Sequence, residues 1–224
     1  MNILLTAATG AEIAPLIKLI HSGKDVPYNG IYTYGNHTIT ICITGVGVVA
    51  TAYYLTRALR QAKYDLVIQA GIAGSFNPKL SIGEVVVIES DIIADMGAED
   101  HDVFISIFDL GLADRNIHPY SNGVLKMSPL TIKMPVLKKV SALTVNTVSG
   151  SSKTIDILKE RCNCDIESME GAAFHFICQM EHVQFIQIRA VSNYVEPRDK
   201  SKWNIPVALQ NLNAALFELL QLND

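Results

Sequence analysis

Charge is scarce in this sequence, and no stretch concentrates one sign of it. Asp, Glu, Lys and Arg make up 18% of the residues, with a formal balance of −4. A phosphate backbone rewards clustered Lys and Arg, so nucleic acid is excluded as the expected partner. No run approaches the roughly 18 uninterrupted apolar residues that a membrane span requires. The opening MNILLTAATGAEIAPLIKLI is apolar, but it lacks a basic leading region and Glu12 interrupts it. It reads as a buried strand entering a helix and not as a secretion signal, so a cytoplasmic protein is expected. Cysteine is sparse, at positions 42, 162, 164 and 178. Cys162 and Cys164 have C-x-C spacing, yet no second pair or histidine follows at zinc spacing. The six histidines form neither H-x₃-H nor HExxH, so reduced thiols and no metal site are expected. No cofactor fingerprint is present either. G-x-G-x-x-G fails because Val48-Val49-Ala50 follows Gly47, and the Walker pattern is missing. No linker, repeat or low-complexity segment divides residues 1–224, which reads as one domain.

What the chain does have is apolar residues, 49% of the total, in short runs that alternate with helical patterns. Apolar or β-branched runs at 2–6, 39–43, 65–69, 84–89, 143–148 and 185–191 read as buried strands. Val48, Ala52, Leu55, Leu59 and Ala62 recur at steps of three and four. So do Met169, Ala172, Ala173, Phe176, Ile177 and Met180, and Leu212, Ala215, Leu216, Leu219 and Leu220. Near-continuous apolar strands alternating with helices imply a sheet covered on both faces. The expected fold is α/β: a single-domain three-layer sandwich with a central mixed, largely parallel sheet flanked by helices. Residues 91–135 hold Gly, Pro, His and Asn with weaker periodicity and read as loops and short elements on the rim.

Small-residue turns are expected at Ala7-Ala8-Thr9-Gly10, Thr44-Gly45-Val46-Gly47 and Ala70-Gly71-Ile72-Ala73-Gly74, each after a strand. Ligands of open α/β sheets bind beyond the strand C-termini, where glycine lets backbone N–H groups approach them. Each turn alone is consistent with a tight connection. Together they point to a site between them.

Three segments narrow this further: Ala7-Ala8-Thr9-Gly10-Ala11-Glu12-Ile13, Glu167-Ser168-Met169-Glu170-Gly171-Ala172-Ala173 and Ile188-Arg189-Ala190-Val191-Ser192-Asn193. With Gly71 to Gly74 and the run Ile82-Gly83-Glu84-Val85-Val86-Val87, their order resembles the purine nucleoside phosphorylase and nucleosidase superfamily. Within it, ADMGAED (94–100), ESMEGAAF (167–174) and IRAVSNYVEPRDKSKWNIP (188–206) resemble the futalosine hydrolase family. The resemblance is weakest between 91 and 135. It implies hydrolysis of futalosine to hypoxanthine and dehypoxanthine futalosine, a step of an alternative menaquinone pathway. It also implies a small purine nucleoside as ligand, no cofactor, and a homo-oligomer, dimer or larger. Residues 91–135 are the candidate for a loop reaching a neighbour's site.

Cleavage of a ribosyl–purine bond passes through an oxocarbenium-like state, so the site needs a base for water, a grip on the ribose hydroxyls and a partner for purine N7. By resemblance Glu12 is the base, although alone it reads as a first-turn acid favoured by the helix dipole. Glu170 accepts from the ribose hydroxyls and Met169 lies against the sugar; alone, Glu170 is consistent with a buried ion pair. Asn193 stands where relatives acting on 6-aminopurines carry aspartate. Its amide offers both an acceptor and donors, which suits a 6-oxopurine; alone it is a turn asparagine. Trp203 corresponds to an aromatic that closes over the nucleoside, or it is a packing residue. Ala73 and Gly74 resemble backbone donors near the water, and Thr154 resembles a residue offering backbone polar groups to the base. Lys153 stands where relatives often carry an aromatic. Arg198, Lys200 and Lys202 lie between Asn193 and Trp203, and Arg198 or Lys202 is the candidate partner for the substrate carboxylate; otherwise this is a solvated loop balanced by Glu196 and Asp199.

The alternatives belong to different classes. A purine nucleoside phosphorylase needs arginines near the first loop and before the central glycines, but the first arginine here is Arg57 and Ile68-Gln69-Ala70 precedes Gly71. A methylthioadenosine/S-adenosylhomocysteine-type nucleosidase is disfavoured by Asn193. A non-catalytic nucleoside-binding module leaves unexplained why acids stand at 12 and 170, since uncompensated buried carboxylates are costly.

Overall fold

Ile3, Leu4 and Leu5 are each no more than 2% exposed, which a strand achieves only when both its faces are covered. In the computed structural model, which describes residues 1–21, 30–101 and 103–224, this strand is β1 (Asn2–Ala7). Ile3 and Leu5 pack with α1 (Gly10–Ile20) and α5 (Ile205–Leu222). Leu4 packs on the other face with Leu55 of α2 (Val48–Gln61) and with Phe174 and Cys178 of α4 (Gly171–Met180). These two cores make the three layers expected for the α/β sandwich.

The middle layer is a mixed sheet of β1, β2 (Ile31–Tyr34), β3 (His37–Ile43), β4 (Leu66–Ser75), β5 (Val85–Ile93), β8 (Leu125–Lys126), β9 (Lys138–Thr144), β10 (Ile166–Ser168) and β11 (Phe185–Tyr194). Its order is β10-β9-β5-β11-β4-β1-β3-β2, with β8 on β5 and β10 also pairing with β4. The β1–β3, β1–β4, β4–β11, β5–β9 and β9–β10 pairs are parallel, whereas β5 runs antiparallel to β11. A separate hairpin, β6 (Gly97–Asp100) with β7 (Val103–Ser106), lies in the segment expected to be irregular. Helix α3 (Ser152–Cys162) starts on the Ser151 side chain, which accepts from the Thr154 N–H, and stops where Asn163 turns left-handed. No helix among the described residues is long and apolar enough to cross a membrane.

Several elements differ from expectation. Residues 70–74 are not a turn: they are the second half of β4, paired with β11 through Gly74. Their glycines clear space for side chains, since a Cβ on Gly71 would overlap Arg189 Nη1 and one on Gly74 would lie 2.9 Å from Val195 Cγ2. The strand expected at 143–148 is β9, ending at Thr144. Beyond it, the Asn146 N–H turns to the Asp95 carboxylate at 2.7 Å instead of continuing a ladder. Strand β5 runs on to Ile93, so Asp91 belongs to the sheet and not to the rim; residue 102 of that rim segment lies outside the described residues. Helix α2 fully buries Leu55 of the expected stripe together with Thr51 and Ala58, while Ala52 and Leu59 pack partly buried against the same core. In α4, Phe174, His175 and Cys178 are buried while Met180 is exposed, because the sheet and α2 cover more of the helix than one stripe.

Pro15 stands inside α1. An interior proline obstructs the turn before it, and here α5 bridges that turn. Asn213 Oδ1 accepts the Leu16 N–H at 2.9 Å, and Asn213 Nδ2 donates to the Glu12 carbonyl at 2.8 Å. One buried amide thus bonds both the Glu12 carbonyl and the Leu16 N–H and fixes the backbone that carries Glu12. Replacing it by Leu orphans both groups, each at a cost of about 1–3 kcal/mol. We expect Asn213→Leu to lower the urea midpoint with an unchanged m-value; an unaltered midpoint would show that the bridge contributes nothing.

Candidate active site

At the C-terminal ends of β1, β4 and β11 the sheet opens into a cleft of about 320 Å³. Seven of the ten residues expected at a site line it: Glu12, Ala73, Gly74, Met169, Glu170, Asn193 and Trp203. The other three do not. Thr154 is exposed on α3, where its N–H is taken by the Ser151 cap. Arg198 lies behind Trp203, its guanidinium carbon 5.2 Å from the ring centroid. Lys202 points to solvent and pairs with Glu196 at 2.8 Å.

Glu12 sits in the first turn of α1. Its Oε2 accepts from the Thr9 N–H at 2.8 Å and the Thr9 hydroxyl at 3.1 Å, and its Oε1 accepts from the Ile72 N–H at 3.2 Å. It is therefore both a helix-start acid and a lining residue of the cleft. Burial pushes its carboxyl above the ordinary value. The Arg189 charge and the two N–H groups oppose that rise, and the charge of Glu170 adds to it.

Glu170 is the N-cap residue of α4, yet its side chain makes no cap hydrogen bond. Its carboxylate faces the cleft instead. Oε1 accepts from the Gly47 N–H at 3.1 Å, and Oε2 pairs with Arg189 Nη2 at 3.3 Å. Gly47 holds φ at +91°, which favours glycine and aims this N–H from the start of α2.

Arg189 is a site residue that carried no role in the sequence reading. It is 2% exposed and also donates to Gln69 Oε1 at 3.1 Å and to the Ile72 carbonyl at 3.3 Å. The available signal was a lone arginine in an otherwise buried strand, because such a charge requires a buried partner. Glu167 is the second missed lining residue. Its carboxylate accepts from the Ser149 N–H at 2.9 Å and the Ser149 hydroxyl at 2.5 Å, and burial raises its pKa against those bonds.

Asn193 follows a bulge. Ser192 is the extra residue of β11 between the pairs Val191–Ala73 and Asn193–Gly74, and such a bulge re-aims the side chain next to it. Asn193 Oδ1 accepts from the Ser192 hydroxyl at 2.8 Å and Nδ2 donates to the Tyr194 carbonyl at 2.9 Å. An amide oxygen has two lone pairs and its nitrogen two hydrogens, so one of each is left for a ligand.

Beneath the cleft lies a second layer of buried polar groups: Asp91, Thr144, His175 and Gln187. Burial raises Asp91 to about 7, against the Thr144 hydrogen bond and the Arg189 charge, and lowers His175 to about 3. The Cys164 thiol donates to the Cys162 carbonyl at 3.3 Å, and no group of three or more His, Cys, Asp or Glu among the described residues could hold a metal ion.

A sequence model of the phosphorylase superfamily matches residues 2–221. The chain is 36% identical to the futalosine hydrolase of Streptomyces coelicolor over 163 residues, 72% of this chain and 68% of that protein. It is 32% identical to the futalosine hydrolase of Acidothermus cellulolyticus over 223 residues, 96% of this chain and 89% of that one. In backbone it is similar to the 5′-methylthioadenosine/S-adenosyl homocysteine nucleosidase of Helicobacter pylori, with a TM-score of 0.78 across 99% of this chain and 98% of that one. Identity there is 18%, a likeness of fold alone.

Proposed function

The chain belongs to the phosphorylase superfamily, and from that premise we propose that it hydrolyses the N-glycosidic bond of futalosine, releasing hypoxanthine and dehypoxanthine futalosine. One observation carries the hydrolytic reading. Among the described residues lining the cleft, Arg189 is the only Lys or Arg, it is already paired with Glu170, and Glu12 and Glu167 add two further carboxyl groups. A phosphate dianion entering that cleft meets more negative than positive charge in a desolvated space. Water meets no such barrier.

In this reading Glu12 takes a proton from the attacking water, and its raised pKa suits a base working near neutral pH. Glu170, steadied by Arg189 and the Gly47 N–H, accepts hydrogen bonds from the ribose hydroxyls as positive charge develops on the sugar. Met169 and Trp203 supply apolar walls to the cleft. The purine leaves as its N7 takes a proton from solvent; the free lone pair of Asn193 Oδ1 accepts the hydrogen bond of that N7–H, and the free amide hydrogen is donated to O6. Arg198, stacked behind Trp203, is the candidate for the substrate carboxylate, because Lys202 is already paired with Glu196. Val46 at the cleft and Val49 and Tyr53 on the adjoining helix α2, exposed at 55%, 80% and 60%, support an assembly of identical chains.

Steady-state release of hypoxanthine from futalosine, set against adenine from methylthioadenosine, tests the substrate. The former should have the larger kcat/KM; the reverse order would move the protein to the 6-aminopurine reading. The base has its own signature. Glu12 must be ionised to act, so kcat should fall as pH drops through a pKa above the ordinary carboxylate value. Glu12→Gln should lower kcat by about a hundredfold or more and abolish that acid limb. An unchanged limb in the folded variant would assign it to another group.

A further inference from the structure

Asp91 is fully buried in β5 and takes no part in the chemistry above. Its Oδ1 accepts the Thr144 hydroxyl hydrogen at 2.9 Å, and the same hydroxyl oxygen accepts the Ala172 N–H at 2.8 Å. All three residues have no exposed surface. The Thr144 hydroxyl has a single hydrogen and the Ala172 N–H can only donate, so that hydrogen is directed to the Asp91 carboxyl oxygen. With that hydrogen committed, its lone pair faces the amide.

The amide is at the beginning of α4. The first N–H groups of a helix have no intrahelical acceptor, and the N-cap side chain ordinarily supplies one. Here the N-cap residue is Glu170, whose carboxylate is turned away to Gly47 and Arg189. Thr144, from a different strand, provides the missing acceptor, and Asp91 orients its hydroxyl. Gly171 completes the fit. A Cβ there would overlap Asp91 Oδ2 and Gln187 Nε2, so the backbone joining Glu170 to Ala172 rests directly on this buried pair.

We propose that Asp91 and Thr144 are positioning residues: together they cap α4 in place of Glu170, which frees the Glu170 carboxylate and fixes it where the sugar hydroxyls arrive. This rests on the reading of Glu170 as the group that accepts from the ribose. Thr144→Val keeps the side-chain shape and removes the hydroxyl; Thr144→Ser keeps the hydroxyl and removes a methyl.

Hypoxanthine release is measured from futalosine and its 2′-deoxy analogue, with inosine and 2′-deoxyinosine alongside, for the wild type, both Thr144 variants and Glu170→Ala. Thr144→Val should lower kcat/KM on the ribonucleosides by about tenfold or more, as a misplaced catalytic group does, and on the 2′-deoxy analogues by less than about threefold. Thr144→Ser should restore the ribonucleoside rate to within about threefold of wild type, and the acid limb assigned to Glu12 should not move in either variant. Equal losses on ribo- and deoxynucleosides, or no loss in a folded Thr144→Val protein, would overturn the proposal. If Glu170→Ala itself fails to distinguish the two sugars, the ribose role of Glu170 falls instead, a different result from one in which Glu170→Ala distinguishes them and Thr144→Val does not. Should Thr144→Val fail to fold, Thr144→Cys, whose thiol is a weak donor and acceptor, carries the same comparison.

Discussion

The Arg189 guanidinium is enclosed by the Gln69 side chain, the Ile72 carbonyl and the Glu170 carboxylate, with the Glu12 carboxylate near enough to feel its charge. A cation this deep in a sheet is tolerable only with its partners in place, because removing one partner of a buried pair costs roughly 3–5 kcal/mol. Much of the surrounding architecture serves that requirement. Gly71 has no side chain because one would overlap Arg189 Nη1. The start of α4 is set so that Glu170 meets Nη2, and Gly47 turns its N–H to the other Glu170 oxygen.

Glu12 and Glu170, the two cleft acids given roles in the proposed reaction, are held by different means, and the difference matters for their use. Glu12 is held by neutral backbone N–H groups and the Thr9 hydroxyl, at a helix start whose turn is bridged by Asn213. Its proton affinity is raised by burial, as a base requires. Glu170 is held by a full positive charge and by a helix that another residue caps. A carboxylate already held by arginine and a backbone N–H is fixed in place to accept hydrogen bonds from a ligand. Environment thus separates a proton acceptor from a hydrogen-bond acceptor.

The parts legible in the sequence are those whose cause is local. The strand cores around Ile3, Val67 and Ile186 announce themselves as apolar runs, and α5 does so by its spacing. Glu12, Glu170 and Asn193 were legible because each lies in a short motif at an element's end. The glycines of β4 were misread because small residues mark a turn and a strand crossed by a bulky neighbour equally well. Only the position of Arg189, far along the chain, separates the two cases. Asp91, read as the start of the rim, and Gln69 and Gln187, given no role within strands read as buried, were illegible for the same reason: their partners arrive from other strands. Arg198 was preferred to Lys202 in sequence for its planar guanidinium, and only the structure shows Lys202 paired with Glu196.

In the proposed reaction, the acids around one committed arginine deliver water, not phosphate, to the sugar. The direct measurement is product analysis of futalosine turnover in phosphate buffer made with oxygen-18 water. The account requires one labelled oxygen on the anomeric carbon of the sugar product and a rate indifferent to phosphate. A sugar 1-phosphate appearing in proportion to phosphate would contradict it.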